Sequence, residues 1–311
     1  MNGKKLSRQY REHLSDFKVW KQRKHAKQWL VFPENIGSHL SIDETALSKG
    51  ELYTIITNKK AKGKKGAIVA IFSGTKAGPI IEQLLQISAK KRSEVKEITL
   101  DMANAMKTIA KQCFPKAIQV TDRFHVQKLA LEALQDIRIK HRWAAIDLEN
   151  EQIKLAKGMG KPFVPKLFSN GDTRKQLLAR SRYLLYKSPN NWTQNQFERS
   201  KILFAQYPDI KVAFDLVQGL RNIFNKTTSI QIAYTKMAHW YKDVENTGFR
   251  SFNTIANTIS LNYKSILNYF INRSTNASAE SFNAKIKAFR AQFRGVKNVE
   301  FFLYRLTTIF A

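Results

Sequence analysis

Three acidic residues stand where a metal-dependent site could form. Asp43 closes the strand-like run HLSID, Asp101 closes a second one in VKEITLD, and Glu280 opens the basic helical segment ESFNAKIKAFR. Alternation places Asp43 on the face opposite Leu40 and Ile42, so its carboxylate can leave the core. Carboxylate oxygens suit Mg²⁺, and two such ions can activate an attacking oxygen and stabilise a leaving one. The pattern indicates phosphoryl transfer, whereas helix N-capping is the competing explanation for either aspartate alone.

The helical segment around Glu280 offers several kinds of ligand on one face. Asn276, Asn283 and Lys287 lie four residues before, three after and seven after Glu280, and these spacings bring them to the same side of a helix. That face predicts a metal ligand, amide donors and a phosphate-binding cation together. A glutamate in a polar helix is usually a solvated charge, so the prediction for Glu280 depends on the whole constellation.

Asp122 and His125 form a second candidate pair, directly after the strand-like run AIQVT. Taken alone, Asp122 is better explained as a helix cap and His125 as a hydrogen-bonding residue of the first turn. The functional alternative makes both accessory residues beside the metals. Asp122 is also the rival of Asp101 as second metal ligand, and we keep Asp101 because its strand is expected to neighbour that of Asp43.

The charge of the chain favours nucleic acid as partner. Lys and Arg number 53 against 24 Asp and Glu, which gives a net charge of +29 and a pI near 10.1. Such a field attracts polyanions. No apolar run approaches the roughly 18 residues of a membrane span, no apolar signal core is present, and the single Cys113 cannot form an internal disulfide. We therefore expect a soluble cytoplasmic protein that binds double-stranded DNA and no membrane.

Clusters of cations predict where the DNA would be bound. The loop KKAKGKK is rich in lysine, and further cations follow Glu280. A solubilising charge run is the alternative for the loop, whereas cations beside the proposed metals favour DNA. Trp192 and Trp240 could stack on an unpaired base, although such tryptophans more often belong to a core. The predicted DNA-binding residues are Lys59, Lys60, Lys62, Lys64, Lys65, Asn276, Asn283, Lys285, Lys287, Arg290 and Arg294.

The order of elements predicts the fold that would position these residues. Three alternating or apolar runs, LSID, LYTIIT and GAIVAIF, precede two strand-like runs that are each followed by a helical pattern. This order predicts an α/β fold with a mixed five-stranded sheet flanked by helices, as in ribonuclease-H-like proteins. The predicted parts are a basic helical arm (1–37), the first part of the core (38–140), a mostly helical insertion (141–271) and C-terminal core helices (272–311).

The sequence resembles the ISL-three-like group of bacterial insertion-sequence DDE transposases. The resemblance rests on SIDET, TLDMANAM, DRFHV and the block ILNYFINRSTNASAESFNAKIKAFRAQFRGVKNVEFFLYR, and it covers about residues 38–310. It implies a ribonuclease-H-like core with Asp43, Asp101 and Glu280 as the metal-binding triad. It further implies two Mg²⁺ ions, replaceable by Mn²⁺, strand cleavage at transposon ends, attack of the freed 3′-hydroxyl on target DNA, and a homo-oligomer assembled on paired ends.

Members of this group usually begin with a cysteine-rich zinc-binding segment and a helix-turn-helix, whereas about 37 residues without cysteine precede the first strand here. We expect either a separate N-terminal recognition protein or loss of that region, in a bacterial, nucleoid-associated setting. Two alternatives stay open, a structure-selective nuclease on the same fold and a non-catalytic nucleic-acid-binding protein. GMGK at 158–161 lacks phosphate-loop spacing, so no nucleotide cofactor is expected.

Overall fold

The computed structural model describes residues 3–48, 50–293 and 295–311. The chain divides into two compact units. The core unit is Met1–Asp122 with Lys264–Ala311, and the helical unit is Arg123–Tyr263. None of the described helices is both long and apolar enough to cross a membrane.

A mixed sheet forms the centre of the core unit, as predicted. Its described strands lie in the order β1-β4-β3-β2-β5-β6, with β2, β5 and β6 parallel to one another and the other neighbours antiparallel. The strands are β1 (Trp29–Val31), β2 (His39–Ser48), β3 (Glu51–Asn58), β4 (Ile68–Ser73), β5 (Glu97–Leu100) and β6 (Ile118–Thr121).

The prediction of five strands was wrong by one, because β1 adds an edge strand. It lies in the segment predicted to be a helical arm, which is helical only in short pieces before Trp29. Its three residues pair antiparallel with β4, Leu30 opposite Ile71. Leu30 is fully buried, so this tertiary contact makes the strand, since three residues are too few for a visible alternation.

The helices of the described chain follow in sequence order. They are α1 (Gly3–Gln9), α2 (Ala77–Leu85), α3 (Ala89–Arg92), α4 (Asn104–Cys113), α5 (Arg123–Gly158), α6 (Arg174–Arg180), α7 (Arg182–Leu185), α8 (Gln194–Gln206), α9 (Pro208–Lys226), α10 (Ile230–Thr247), α11 (Arg250–Leu261), α12 (Tyr263–Leu267), α13 (Tyr269–Asn272), α14 (Ala277–Gln292) and α15 (Val299–Phe310).

Helices cover both faces of the sheet. On one face, α2 and α4 bury an apolar cluster with β2 through Leu40 and Ile42. On the other face, α14 and α15 bury Phe282 and Phe302 in a second cluster together with Leu47 of the same strand. The period-two alternation of β2 thus divides its side chains between two cores. It places Ser41 and Asp43 on the α14 side.

The N-terminal segment packs on α15 through aromatic rings. The ring of Phe17 lies 5.2 Å from that of Phe301 and 5.5 Å from that of Tyr304, and Trp20 lies 5.5 Å from Tyr304. Edge-to-face pairs at these distances contribute beyond the area they bury. The basic segment is therefore attached to the core by its few aromatic residues.

The helical unit is built around the long helix α5, which packs on α9. Trp240 is buried and its indole N–H donates to the carbonyl of Leu216 at 2.9 Å. Trp192 donates in the same way to Leu184 at 2.8 Å, and its ring lies 5.5 Å from that of Phe214. Both tryptophans therefore serve packing, which was the alternative to base stacking.

Candidate active site

Parallel pairing brings Asp43 and Asp101 to one level of the sheet. β2 pairs with β5 so that Ser41 lies opposite Thr99, and two residues further the same register sets Asp43 beside Asp101. The prediction that these two strands are neighbours in the sheet is confirmed. The carboxyl ends of parallel strands are where α/β sheets commonly carry their sites.

Asp43 does not close its strand, contrary to the prediction. It is the fifth residue of β2, which continues to Ser48 by antiparallel pairing with β3. The parallel neighbour β5 ends at Leu100, just before Asp101. Asp43 therefore lies beside the end of β5, although its own strand β2 continues to Ser48.

Asp122 lies at the same level on the next strand. Leu100 pairs with Thr121, and the N–H of Asp122 donates to the carbonyl of Leu100 at 3.1 Å, which continues the ladder. The side chain of Asp122 is buried, at 1% exposure, whereas that of Asp101 is half-buried. Asp101 is thus the more accessible of the two rivals for a substrate-facing metal.

Each of the two proposed aspartate ligands is oriented by its own backbone. The N–H of Glu44 donates to Oδ1 of Asp43 at 2.9 Å, and the N–H of Met102 donates to Oδ1 of Asp101 at 2.5 Å. A carboxylate held by the following amide has a fixed direction. Both aspartates are therefore ordered before any ligand arrives.

Glu44 is an acidic neighbour that the sequence analysis missed. Burial raises the pKa of Glu44, and the negative charges of Asp101 and Asp43 raise it further. On the other side, burial lowers the pKa of Lys107 on α4, while the charge of Asp101 opposes that shift. Asp101 therefore lies between an acid and a base. The adjacent pair Asp43-Glu44 was the signal available in the sequence.

Helix α14 meets β2 through polar side chains. Nδ2 of Asn283 donates to Oδ2 of Asp43 at 2.7 Å, and the hydroxyl of Ser41 donates to Oδ1 of Asn276. Asn276 and Asn283 share one helical face and Ser41 and Asp43 one strand face, so the two elements match residue by residue. Glu280 lies on the same face of α14 between the asparagines, with its side chain exposed.

The side chain of Asn276, which was predicted to contact DNA, has no exposed surface in this structure, and its DNA contact stays a prediction. Asn283 is engaged with Asp43, so its contact in this structure is with the site and not with a surface. Spacing along the helix predicted which residues share a face. It did not predict that the face would lie against β2.

The donor atoms fit a divalent cation, but the ligand set is incomplete as placed. The carboxylates of Asp43 and Asp101 carry hard oxygen atoms of the kind that Mg²⁺ prefers, and their negative charges add to burial in raising the pKa of Glu44. Among the described residues, no three or more His, Cys, Asp or Glu side chains are arranged to hold a metal ion.

A buried polar network lies beside the site. Nζ of Lys59 donates to Oγ1 of Thr99 at 2.8 Å and lies 3.5 Å from Oε1 of Glu97, which also accepts from the hydroxyl of Ser274. Nδ2 of Asn272 donates to the other Glu97 oxygen at 3.3 Å. The network ties β5 and the β3–β4 connection to the segment that leads into α14.

The prediction that Lys59 lies exposed in a hairpin loop was wrong. Its side chain is 15% exposed, and burial lowers the pKa of Lys59, while the carboxylates of Glu97 and Asp122 oppose that shift. Burial would raise the pKa of Glu97, but hydrogen bonds from Ser274 and Asn272 and the charge of Lys59 outweigh it, so the pKa is lowered. Lys59 is a structural cation because a buried carboxylate lies within its reach.

The other predicted DNA-binding cations fall into two groups. Lys287 is exposed, as are four lysines of the loop, which are Lys60, Lys62, Lys64 and Lys65. Lys285 is exposed as well, but its Nζ donates to the carbonyl of Gly63 in the β3–β4 connection at 2.8 Å, and Arg290 donates to the carbonyls of Ala46 and Leu47 at 3.2 Å each, so these two residues attach α14 to the rest of the core unit. Arg294 lies outside the described residues.

A basic cleft lies next to the C-terminal half of α14. Its volume is about 590 Å³, and its lining includes Lys287, Arg290, Gly50 and Gly295. The cleft continues the exposed cationic side of the helix beyond Glu280. It has the charge that a phosphate backbone requires.

Asp122 and His125 stand on either side of the start of α5. His125 is half-buried in the first turn, and its ring lies 5.7 Å from that of Phe124, which is 53% exposed. The accessory role of the pair stays a prediction.

The sequence of this chain is similar to those of known transposases. A profile of DDE transposases of the ISL3-like type, described as a transposase, matches residues 40–306. The transposase for insertion sequence element IS1557 of Mycobacterium tuberculosis is 28% identical over 141 residues, which are 45% of this chain and 31% of that protein. The transposase for insertion sequence element IS1001 of Bordetella parapertussis is 22% identical over 275 residues, 88% of this chain and 61% of that protein.

Among solved structures, the Drosophila P element transposase strand transfer complex is similar at 12% identity and a TM-score of 0.41, over 86% of this chain and 75% of that chain. This chain spans 31% and 61% of the length of the two curated relatives.

Proposed function

The chain belongs to the ISL3-like family of DDE transposases, and we propose that it carries out metal-dependent strand cleavage at transposon ends and strand transfer into target DNA. The observation that supports this most is that the register of β2 and β5 sets Asp43 and Asp101 side by side. The helix that carries Glu280 is joined to β2 by the hydrogen bond from Asn283 to Asp43. This arrangement offers two oriented carboxylates and a third on a helix that can approach them.

In this proposal Asp43, Asp101 and Glu280 hold two Mg²⁺ ions, for which Mn²⁺ can substitute. When bound, the metals supply Lewis-acid stabilisation of the attacking and leaving oxygens. Asn283 orients Asp43, and Asp122 and His125 act as accessory residues. The 3′-hydroxyl released by cleavage of one strand then attacks the phosphorus of a target phosphodiester. A new P–O bond forms, the bond between that phosphorus and the 3′-oxygen of the target strand breaks, and this oxygen leaves as a 3′-hydroxyl after taking up a proton.

The partners belong to the same proposal. We propose that Lys60, Lys62, Lys64, Lys65 and Lys287 contact the DNA backbone, that more than one copy assembles on paired ends, and that the complex is cytoplasmic and nucleoid-associated.

A cleavage and joining assay tests the function. Labelled duplexes carry the ends of the element, either intact or already cleaved to expose a 3′-hydroxyl, and are incubated with target DNA and Mg²⁺, Mn²⁺ or a chelator. We expect metal-dependent joining of the cleaved ends, because this step needs the carboxylates but no prior cleavage. Cleavage without joining would favour the nuclease alternative, and binding without either reaction would favour the binding-protein alternative.

Neutralising the exposed loop lysines is expected to weaken DNA binding. In Lys62→Gln/Lys64→Gln/Lys65→Gln, the slope of log affinity against log salt should fall by about 0.9 for each phosphate that the loop no longer neutralises, thus by up to about 2.7. Fluorescence anisotropy on a labelled duplex over a salt series measures it.

The matched control removes the same charge from the opposite side of the sheet. Lys90, Lys111 and Lys116 are exposed around α3 and α4, so Lys90→Gln/Lys111→Gln/Lys116→Gln should keep most of the slope. Equal losses in both triple variants would mean that only net charge matters and would remove the loop from the proposed DNA surface.

A further inference from the structure

Three arginines come together in the helical unit. Arg138 on α5 is 4% exposed, with Nε donating to Oε1 of Gln135 at 2.6 Å and Nη1 donating to the carbonyl of Leu178 at 2.8 Å. Gln135 in turn donates to the carbonyl of Arg182 at 3.4 Å. Arg142 follows one turn after Arg138 on the same helical face. The start of α7 and two turns of α5 therefore hold three guanidinium groups close together.

The described residues of the helical unit provide these three cations with no carboxylate partner. Burial lowers the pKa of Arg138, and the positive charges of Arg142 and Arg182 lower it further. Nε of Arg142 is buried and has no hydrogen-bond acceptor among the described residues. Among the described residues of the helical unit, no ion pair includes Arg138, Arg142 or Arg182.

A neighbouring site in the same unit shows the contrast. Asp172 is fully buried and accepts from both Arg180 and Arg199, the second at 2.9 Å, so those two arginines carry their counter-charge within the protein. A buried guanidinium without such a partner is costly. The cluster of Arg138, Arg142 and Arg182 has no such carboxylate among the described ion pairs, so an anion from outside would stabilise it.

We propose that Arg138, Arg142 and Arg182 form a phosphate-binding site for the backbone of DNA. Guanidinium groups bind phosphate oxygens through paired N–H donors, and the unpartnered Nε of Arg142 supplies one such donor. The site is separate in sequence from the carboxylates and their helix. The choice of DNA as the source of the phosphate rests on the proposed function.

The surroundings favour a polymer over a small anion. Arg182 is exposed, and so are Tyr183 at 67% and Tyr186 at 38%. The guanidinium of Arg182 lies 5.6 Å from the ring centre of Tyr183. An open surface of cations and aromatic rings is typical of sites that follow a nucleic-acid strand.

The test uses the full chain with Arg142→Gln/Arg182→Gln, which leaves the structural Arg138 in place. We expect weaker binding to a labelled duplex and a salt slope lower by about 1.8, which is about 0.9 for each phosphate that the variant no longer neutralises. The control Lys201→Gln/Lys211→Gln removes the same charge from lysines already paired with Glu198 and Asp215, and it should keep the slope. Thermal unfolding of each variant confirms that it is folded.

A second measurement separates the sources of phosphate. Inorganic phosphate alone should raise the unfolding temperature of the wild type more than that of the double variant. An unchanged DNA salt slope in the double variant overturns the proposal, even if inorganic phosphate stabilises the wild type selectively, since the site would then take a free anion. All of these readouts are binding or stability, so a chain that proves unable to cleave DNA still tests this site.

Discussion

Glu280→Gln is expected to lower the rate of metal-dependent strand cleavage by about 10³-fold, a loss of about 4 kcal/mol of transition-state stabilisation, with little change in DNA affinity. The substitution removes one anionic oxygen ligand and keeps the shape of the side chain. Glu280 is exposed, and Asn276 and Asn283 make hydrogen bonds between α14 and β2 that the substitution leaves in place, so the fold should be unaffected. Single-turnover cleavage of a labelled end substrate measures the rate. Asp43→Asn and Asp101→Asn should show losses of the same order.

Glu82→Gln is the matched control, because Glu82 is an exposed glutamate on α2 of the same unit. It should cleave at the wild-type rate. Glu44→Gln tests whether Glu44 is itself a metal ligand. If Glu44 only lies near the charges of Asp43 and Asp101, its substitution should lower the cleavage rate far less than substitution of either aspartate. Full activity of Glu280→Gln would contradict the proposed triad. Asp122→Asn would then be the next variant to examine, since Asp122 lies level with Asp101.

The sheet could be predicted from the sequence because its main strands carry their own signal. HLSID alternates and GAIVAIF is continuously apolar, and both segments became the expected strands β2 and β4. That β2 and β5 are neighbours could be predicted from the order of strands and helices along the chain. β1 could not be predicted, because three residues between basic segments become a strand only by pairing with β4.

The site was less accessible to sequence reasoning, because its decisive contacts are long-range. Lys59 and Ser274 lie 215 residues apart, and Ser41 and Asn276 lie 235 residues apart. A lysine-rich loop is typical of a solvated segment until a buried carboxylate such as Glu97 is known to lie beside it. The helical spacing of Asn276, Glu280 and Asn283 was visible, but the partner of that face was not.

Lys59→Met is expected to destabilise the core unit by about 3–5 kcal/mol, because it removes one partner of a buried ion pair and leaves the Glu97 carboxylate without its cation. The side chains of Lys59 and Glu97 are 15% and 4% exposed, so water cannot replace the missing partner. Hydrogen exchange of β5 and α14 measures this unit separately from the helical unit, which need not unfold with it. The double variant Lys59→Met/Glu97→Leu should recover part of the loss, since it leaves no buried charge behind.

The pH dependence of the same pair has a defined sign. The pKa of Glu97 is lowered in the folded state, so as pH falls the unfolded chain takes up its proton first, near the ordinary value of about 4.3. The contribution of Glu97 is therefore complete above that pH and is lost as pH falls through the lowered folded pKa. Glu97→Gln should be less stable than the wild type at neutral pH, with a difference that shrinks in this acidic range. A difference that stays constant with pH would show that packing of the side chain, and not its charge, holds β5 to the segment leading into α14.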